Sequence, residues 1–215
     1  MVLCHQTANF QKDLLKNSKI GLHKENKITN HKLNKVTMKK IIYPAIAAVT
    51  LVSSAFMSYV PQEWKITDGY SIKFKSKDPS GIFKDFKGDI NYDANDLANS
   101  KFDVSIDVSS ISTGNGMMNK KAQTEEWFNA DKHPQIKYIS SKIDKSDKGI
   151  TLFGDLKIKG KSKPTKINVK VNESGNKATF SGTFNVDRMD FGVGKKSESV
   201  PDVLKIEFEI PVVKK

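Results

Sequence analysis

After residue 55 the sequence predicts an all-β domain, an eight-stranded antiparallel up-and-down barrel with one short helix inserted mid-chain. Three observations carry that expectation. Apolar and polar residues alternate with a period of two in eight stretches, the pattern of strands with one dry and one wet face. Short clusters of Asp, Asn, Ser, Gly and Pro separate most of them. Eight one-sided strands must also bury one continuous apolar face, which a flat sheet would leave wet, so the choices are a sandwich or a closed barrel. Short sequential turns favour the barrel, which leaves no unpaired edge.

The elements follow in order. Residues 1–37 are rich in Lys and Asn, have no sustained apolar period, and read as disordered and upstream of the true start. Met38-Lys39-Lys40, the apolar run 41–52 and Ser53-Ser54-Ala55 have the three parts of a secretory signal peptide, cleaved near Ala55. That run is too short and too interrupted, by Tyr43-Pro44 and Thr50, to predict a membrane span. The barrel domain is expected over 56–215.

Its first strand shows Ile72 and Phe74, its second Phe86, Ile90 and Tyr92. The third is the clearest: Phe102, Val104, Ile106 and Val108 alternate with Lys101, Asp103, Ser105, Asp107 and Ser109. A rougher strand covers 136–143, with Tyr138 on its apolar face. Then come Ile150, Leu152, Leu156 and Ile158; Ile167, Val169 and Val171; Phe180, Phe184 and Val186; and Leu204, Ile206, Phe208, Ile210 and Val212. Turn signals fall at 78–81, 93–96, 145–149, 161–164 and 173–176. Residues 116–128 break the rhythm. With Met117, Met118, Ala122, Glu125, Glu126 and Trp127, no Pro and few β-branched residues, they predict a short helix capped by Asn115 and ended before Pro134.

Charge and cysteine usage exclude several classes. The formal net charge is +12, but residues 1–55 hold nine Lys and two acidic residues, leaving +5 from 27 basic and 22 acidic side chains over the rest. That is an ordinary mixed surface and predicts no nucleic-acid partner. The single cysteine, Cys4, lies in the leading segment, so the domain must fold on its core without disulfides.

Catalytic apparatus is thin. The domain has one histidine, His133, directly before Pro134, and no His/Cys cluster with metal-ligand spacing. Asp85 and Asp89 are paired carboxylates only by proximity, and Asp187 and Asp190 flank Arg188 as a surface ion-pair cluster would. Nothing has the form of acid–base or nucleophilic chemistry, and no metal or cofactor is called for.

Two positions bear on the barrel interior. Gly154 shares the parity of Leu152 and Leu156, and Gly182 that of Phe180 and Phe184. Inward glycines leave room where a packed core would place bulk; glycines also mark bulges in coiled strands.

Several blocks resemble the YceI-like lipid-binding proteins. They are 109–115 (SSISTGN), followed by the helix; Trp127-Phe128-Asn129-Ala130 with His133-Pro134-Gln135-Ile136; 154–160 (GDLKIKG); and 188–193 (RMDFGV). Trp64-Lys65-Ile66 and Ile72-Lys73-Phe74 fit the opening, and the resemblance runs in order over about residues 62–213. Departures are Lys157 and Lys159, where the family often has Thr and His, and Met117-Met118 at a helix start that the family often charges. No head-group contact is carried over from those positions.

The resemblance implies a lipocalin-like barrel with an elongated apolar tunnel. Its members are secreted or periplasmic bacterial proteins that hold polyisoprenoids, quinones or long-chain amides without acting on them. It makes Phe74, Phe86, Phe102, Ile106, Tyr138, Leu152, Gly154, Leu156, Phe180, Gly182, Phe184 and Phe208 the expected tunnel lining. Independently of the resemblance, Met117, Met118, Trp127 and Phe128 read either as a deformable lid over one mouth or as a passive plug completing the core. The expected partners are an isoprenoid or other long-chain lipid and, transiently, a membrane surface, with a homodimer among the oligomeric states left open. Two competitors stand: a filled barrel serving a structural or stress role, and a lipid-modifying enzyme using Asp155, Arg188 and Asp190.

Overall fold

The computed structural model describes residues 62–76 and 79–215. The expectations of a disordered leader over 1–37 and a signal peptide over 38–55 fall outside the described residues.

All eight expected strands are present, and three short strands that the alternation does not predict, at 63–66, 81–83 and 111–112, join them. The wall is therefore built from β1 (Glu63–Ile66), β2 (Ser71–Lys75), β3 (Gly81–Phe83), β4 (Phe86–Asn91), β5 (Lys101–Asp107) and β6 (Ile111–Ser112). The longer strands follow: β7 (Gln135–Ser146), β8 (Gly149–Ile158), β9 (Lys161–Ser174), β10 (Lys177–Asp187) and β11 (Val203–Lys214). Every pairing is antiparallel. From β7 to β11 each strand pairs with the next in sequence, the up-and-down order that short hairpins dictate. β11 pairs with β10 on one side and with both β1 and β2 on the other, which closes the barrel. The break between β5 and β6 is a single 3₁₀ turn, Val108–Ser110, capped by the Asp107 carboxylate, which accepts from Ser109 N at 2.8 Å.

Two turns differ from expectation. The β8–β9 hairpin turns at Lys159 (φ 48°) and Gly160 (φ 78°), a two-residue loop with both residues left-handed, as the twist of such hairpins requires. Residues 161–164 are strand, with Pro164 opposite Asp155. The proline is tolerated because residues 161–168 pair only with β8, so its missing N–H faces no neighbour. Gly81, expected within a turn, instead opens β3, a strand too short to show an alternation.

The helix, α1, spans Gly116–Gln123 and is shorter than expected. Asn115 caps it, its side chain accepting from Met117 N at 2.9 Å and Met118 N at 3.3 Å. It stops where Thr124 takes an extended backbone and its hydroxyl donates to Lys121 O at 2.8 Å. Residues 124–128 continue as turns, with Phe128 N donating to Ala122 O at 3.0 Å.

The core lies inside the barrel. Trp64, Ile90, Phe180 and Val212 are each 1% exposed at one end. At the other end the wall splits: residues 161–168 of β9 and 183–187 of β10 share no pairing. A second 3₁₀ turn, Arg188–Phe191, and the loop after it close that corner, with Lys159 Nζ donating to Gly192 O at 2.8 Å and Glu126 O at 3.1 Å.

Candidate functional site: the barrel interior

The two-residue period that makes the strands also makes the inner wall, since every second side chain of each strand points inward. The inward set does not fill the space. A cavity of about 290 Å³ lies beneath α1 and the 188–200 segment, and a deeper one of about 100 Å³ sits among the mid-barrel side chains. Ile72, Ile106, Ile136, Leu156, Phe184 and Ile206 line both, so the two are compartments of one interior. Ile106, Phe184 and Ile206 are only half-buried despite their inward parity, because they border that space.

The deeper compartment has almost no polar wall. Tyr138 points inward there, and its hydroxyl donates to Thr165 O at 3.3 Å. Burial, with Asp155 nearby, raises the Tyr138 phenol far above its ordinary pKa. The outer compartment is apolar along Phe74, Phe83, Ile111 and Phe128 and gains polar groups at its rim: Lys73, Thr113, Lys121 and Ser199. Trp127 lies at this rim, flanked by Lys121 and Arg188 at 5.7 and 5.8 Å from its ring, and its indole Nε1 is buried with no protein acceptor. Such an arrangement can hold an apolar chain and present polar groups to one end of it, and no cluster of metal-ligating side chains occurs among the described residues.

The expected lining residues are placed as follows. Phe86, Phe102, Tyr138, Leu152, Phe180 and Phe208 line the deeper compartment, Phe74 the outer one, and Ile106, Leu156 and Phe184 both. The glycines differ. A Cβ at Gly182 would meet the Asn168 carbonyl and stand 2.7 Å from the Phe208 ring, which covers the space the glycine leaves. A Cβ at Gly154 would run into the Ile139 carbonyl, where β7 bulges between Ser140 and Lys142. Neither glycine borders either compartment; both permit close approach instead.

Of the expected lid, Met118, Trp127 and Phe128 line the outer compartment, with Phe128 edge-on to Phe83 at 6.3 Å. Met117 does not. It is 80% exposed, because it lies on the outward side of a helix none of whose residues is buried.

Sequence reasoning missed Arg188. It is 3% exposed and donates to Pro201 O (3.0 Å), Val193 O (2.8 Å), Val200 O (3.0 Å) and Asp202 Oδ1 (2.9 Å), tying the 193–202 loop over the outer compartment. Its partner is neither flanking acid. Asp187 instead caps the 3₁₀ turn, accepting from Met189 N, and Asp190 faces Lys163 at 3.7 Å. Asp155 and Asp190 are solvent-exposed, whereas Arg188 is buried. Asp85 and Asp89 are likewise exposed, and His133 packs its ring against Gly160.

Set against known proteins, residues 60–212 match the model of the YceI-like domain. The chain belongs to the YceI family. Among curated YceI relatives it is similar to a UPF0312 protein of Serratia proteamaculans, 28% identical over 137 residues, 59% of this chain and 71% of that one. Among solved structures it is similar to Burkholderia cenocepacia BcnA, 28% identical with a TM-score of 0.64, covering 68% of this chain and 99% of that one. A polyisoprenoid binding domain from Saccharophagus degradans shares the YceI fold at a TM-score of 0.56 and 11% identity, over 73% of this chain and all of that one.

Proposed function

We propose that this YceI-family barrel binds one long-chain apolar molecule, an isoprenoid or acyl derivative, and carries it unchanged in the cell envelope. The observation that carries the proposal is the two-compartment apolar interior, closed at one end and rimmed by polar groups at the other. The polyisoprenoid binding of a same-fold domain supports it, and so does the signal-peptide pattern at 38–55, which directs the chain to export.

The energetics suit a carrier. Each methylene moved from water into an apolar surround is worth roughly 0.8 kcal/mol, so a free long chain does not persist in an aqueous compartment. Exchange between a bilayer and an apolar cavity is close to balanced, which lets the barrel load and unload at a membrane surface. The exposed Lys157, Lys161 and Lys163 beside the split wall favour contact with anionic head groups. At the rim, the unpaired Trp127 N–H suits an oxygen acceptor on the ligand's polar end.

Native mass spectrometry of the full chain expressed in a bacterium, with solvent extraction alongside, tests this. A stoichiometric adduct that extracts as a long-chain lipid, on a protein whose mass begins at Phe56, is the expected result. A clean apo mass that persists when prenols, quinones and fatty acids are added would refute binding.

A further inference from the structure

We infer that Trp64, Tyr92, Phe102 and Phe180 form a chain-length stop that sets the longest ligand chain the interior takes. The inference rests on the binding proposed above and adds which ligands fit.

The four aromatics sit at the closed end of the interior. Phe102 and Phe180 form the floor of the deeper compartment. Behind them Phe180 meets Tyr92 at 5.3 Å, Phe102 at 5.2 Å and Trp64 at 6.3 Å, each ring edge-on to the Phe180 face or the reverse. None is more than 4% exposed. Trp64 Nε1 donates to Tyr92 O at 2.8 Å, so the outermost ring is held in place as well as packed. The wall around the stop is continuous, since β1 pairs with both β4 and β11 there and β10 pairs with β11 over its whole length.

Capacity follows from volume. The two compartments, of about 290 and 100 Å³, end at these rings. Carbons beyond those they hold cannot pass the aromatic floor. They must remain outside the rim, in water, when the molecule leaves a bilayer.

The test is transfer from phosphatidylcholine vesicles loaded with prenols of graded length, from about two to about twelve isoprene units, to the purified full chain. Occupancy is read by native mass spectrometry after the vesicles are removed. The expected profile rises with length to a maximum and falls at least about tenfold with each added unit beyond it. Phe180→Ala should move the peak to longer prenols, and Phe102→Leu, which keeps more of the packing, should move it in the same direction if Phe180→Ala does not fold. Uptake by the unaltered chain that shows no fall with length across the series would overturn the stop while leaving binding intact. Folded variants with an unchanged profile would do the same, whereas no uptake at any length would overturn both.

Discussion

Replacing Arg188 with Met removes a buried cation that holds four oxygens of one loop. The guanidinium is 3% exposed and its bonds to Val193 O, Val200 O, Pro201 O and Asp202 Oδ1 lie between 2.8 and 3.0 Å. Hydrogen bonds to a charged group contribute about 1.5–3 kcal/mol each, but they are not additive, and the freed carbonyls can reach water once the loop opens. Breaking a buried pair costs about 3–5 kcal/mol, and the opening loop places the Arg188→Met cost at the lower end, about 3 kcal/mol. With a urea dependence of about 2 kcal/mol per molar for a domain of this size, the unfolding midpoint should fall by roughly 1.5 M. Amide exchange should accelerate over 193–202 and little elsewhere. Asp202→Asn should cost about 1 kcal/mol or less, because that carboxylate is one-third exposed and the carbonyls still hold the guanidinium. A midpoint shift below about 0.5 M for Arg188→Met would refute the reasoning, and equal costs for the two variants would assign the effect to the ion pair alone.

Three further outcomes are expected. Gly154→Ala should cost about 1–3 kcal/mol in the same urea assay, since its Cβ meets the β7 backbone rather than a movable side-chain tip; a neutral result would contradict the close approach. Tyr92 and Tyr138 both have raised phenol pKa values, from burial first and nearby carboxylates second. Their contribution to stability is therefore complete below the unfolded value of about 10 and lost as pH rises through the folded values. Phenolate absorbance of the folded protein should show two late-titrating tyrosines, and Tyr138→Phe should weaken the alkaline loss; a single transition near 10 would oppose this. Met118→Gln should weaken uptake of a fluorescent fatty acid severalfold while Met117→Gln leaves it unchanged, and equal effects would contradict their different placement.

Much of this was legible in the residues, for a physical reason. A strand with one wet face writes its orientation into a two-residue period, so Phe102, Val104 and Ile106 reveal both a strand and its inward side. Asn115 reveals a helix start because an N-cap is a local interaction between a side chain and the next turn. The failures are equally physical. Pro164 suggested a turn, although a strand whose outer edge is unpaired accepts proline. Arg188 resembled a surface charge because its neighbours in sequence are acidic, whereas its true partners lie at 193 and 200–202, where only the folded loop brings them. Gly154 and Gly182 have the parity of open space, but parity does not say whether a neighbouring backbone or the Phe208 ring occupies it. Phe83 and Ile111 join the cavity wall from strands too short to leave a local pattern.

The central claim is that the apolar interior is the binding site, and filling it tests that claim most directly. Ile106 lines both compartments and is only half-buried, so Ile106→Trp places bulk into existing space with little overpacking. Equilibrium titration of the full chain and this variant with a fluorescent fatty acid should show saturable one-to-one binding for the first and at least about tenfold weaker binding for the second, with unfolding midpoints close together. Unchanged affinity in a folded Ile106→Trp protein would place the ligand elsewhere and contradict the account.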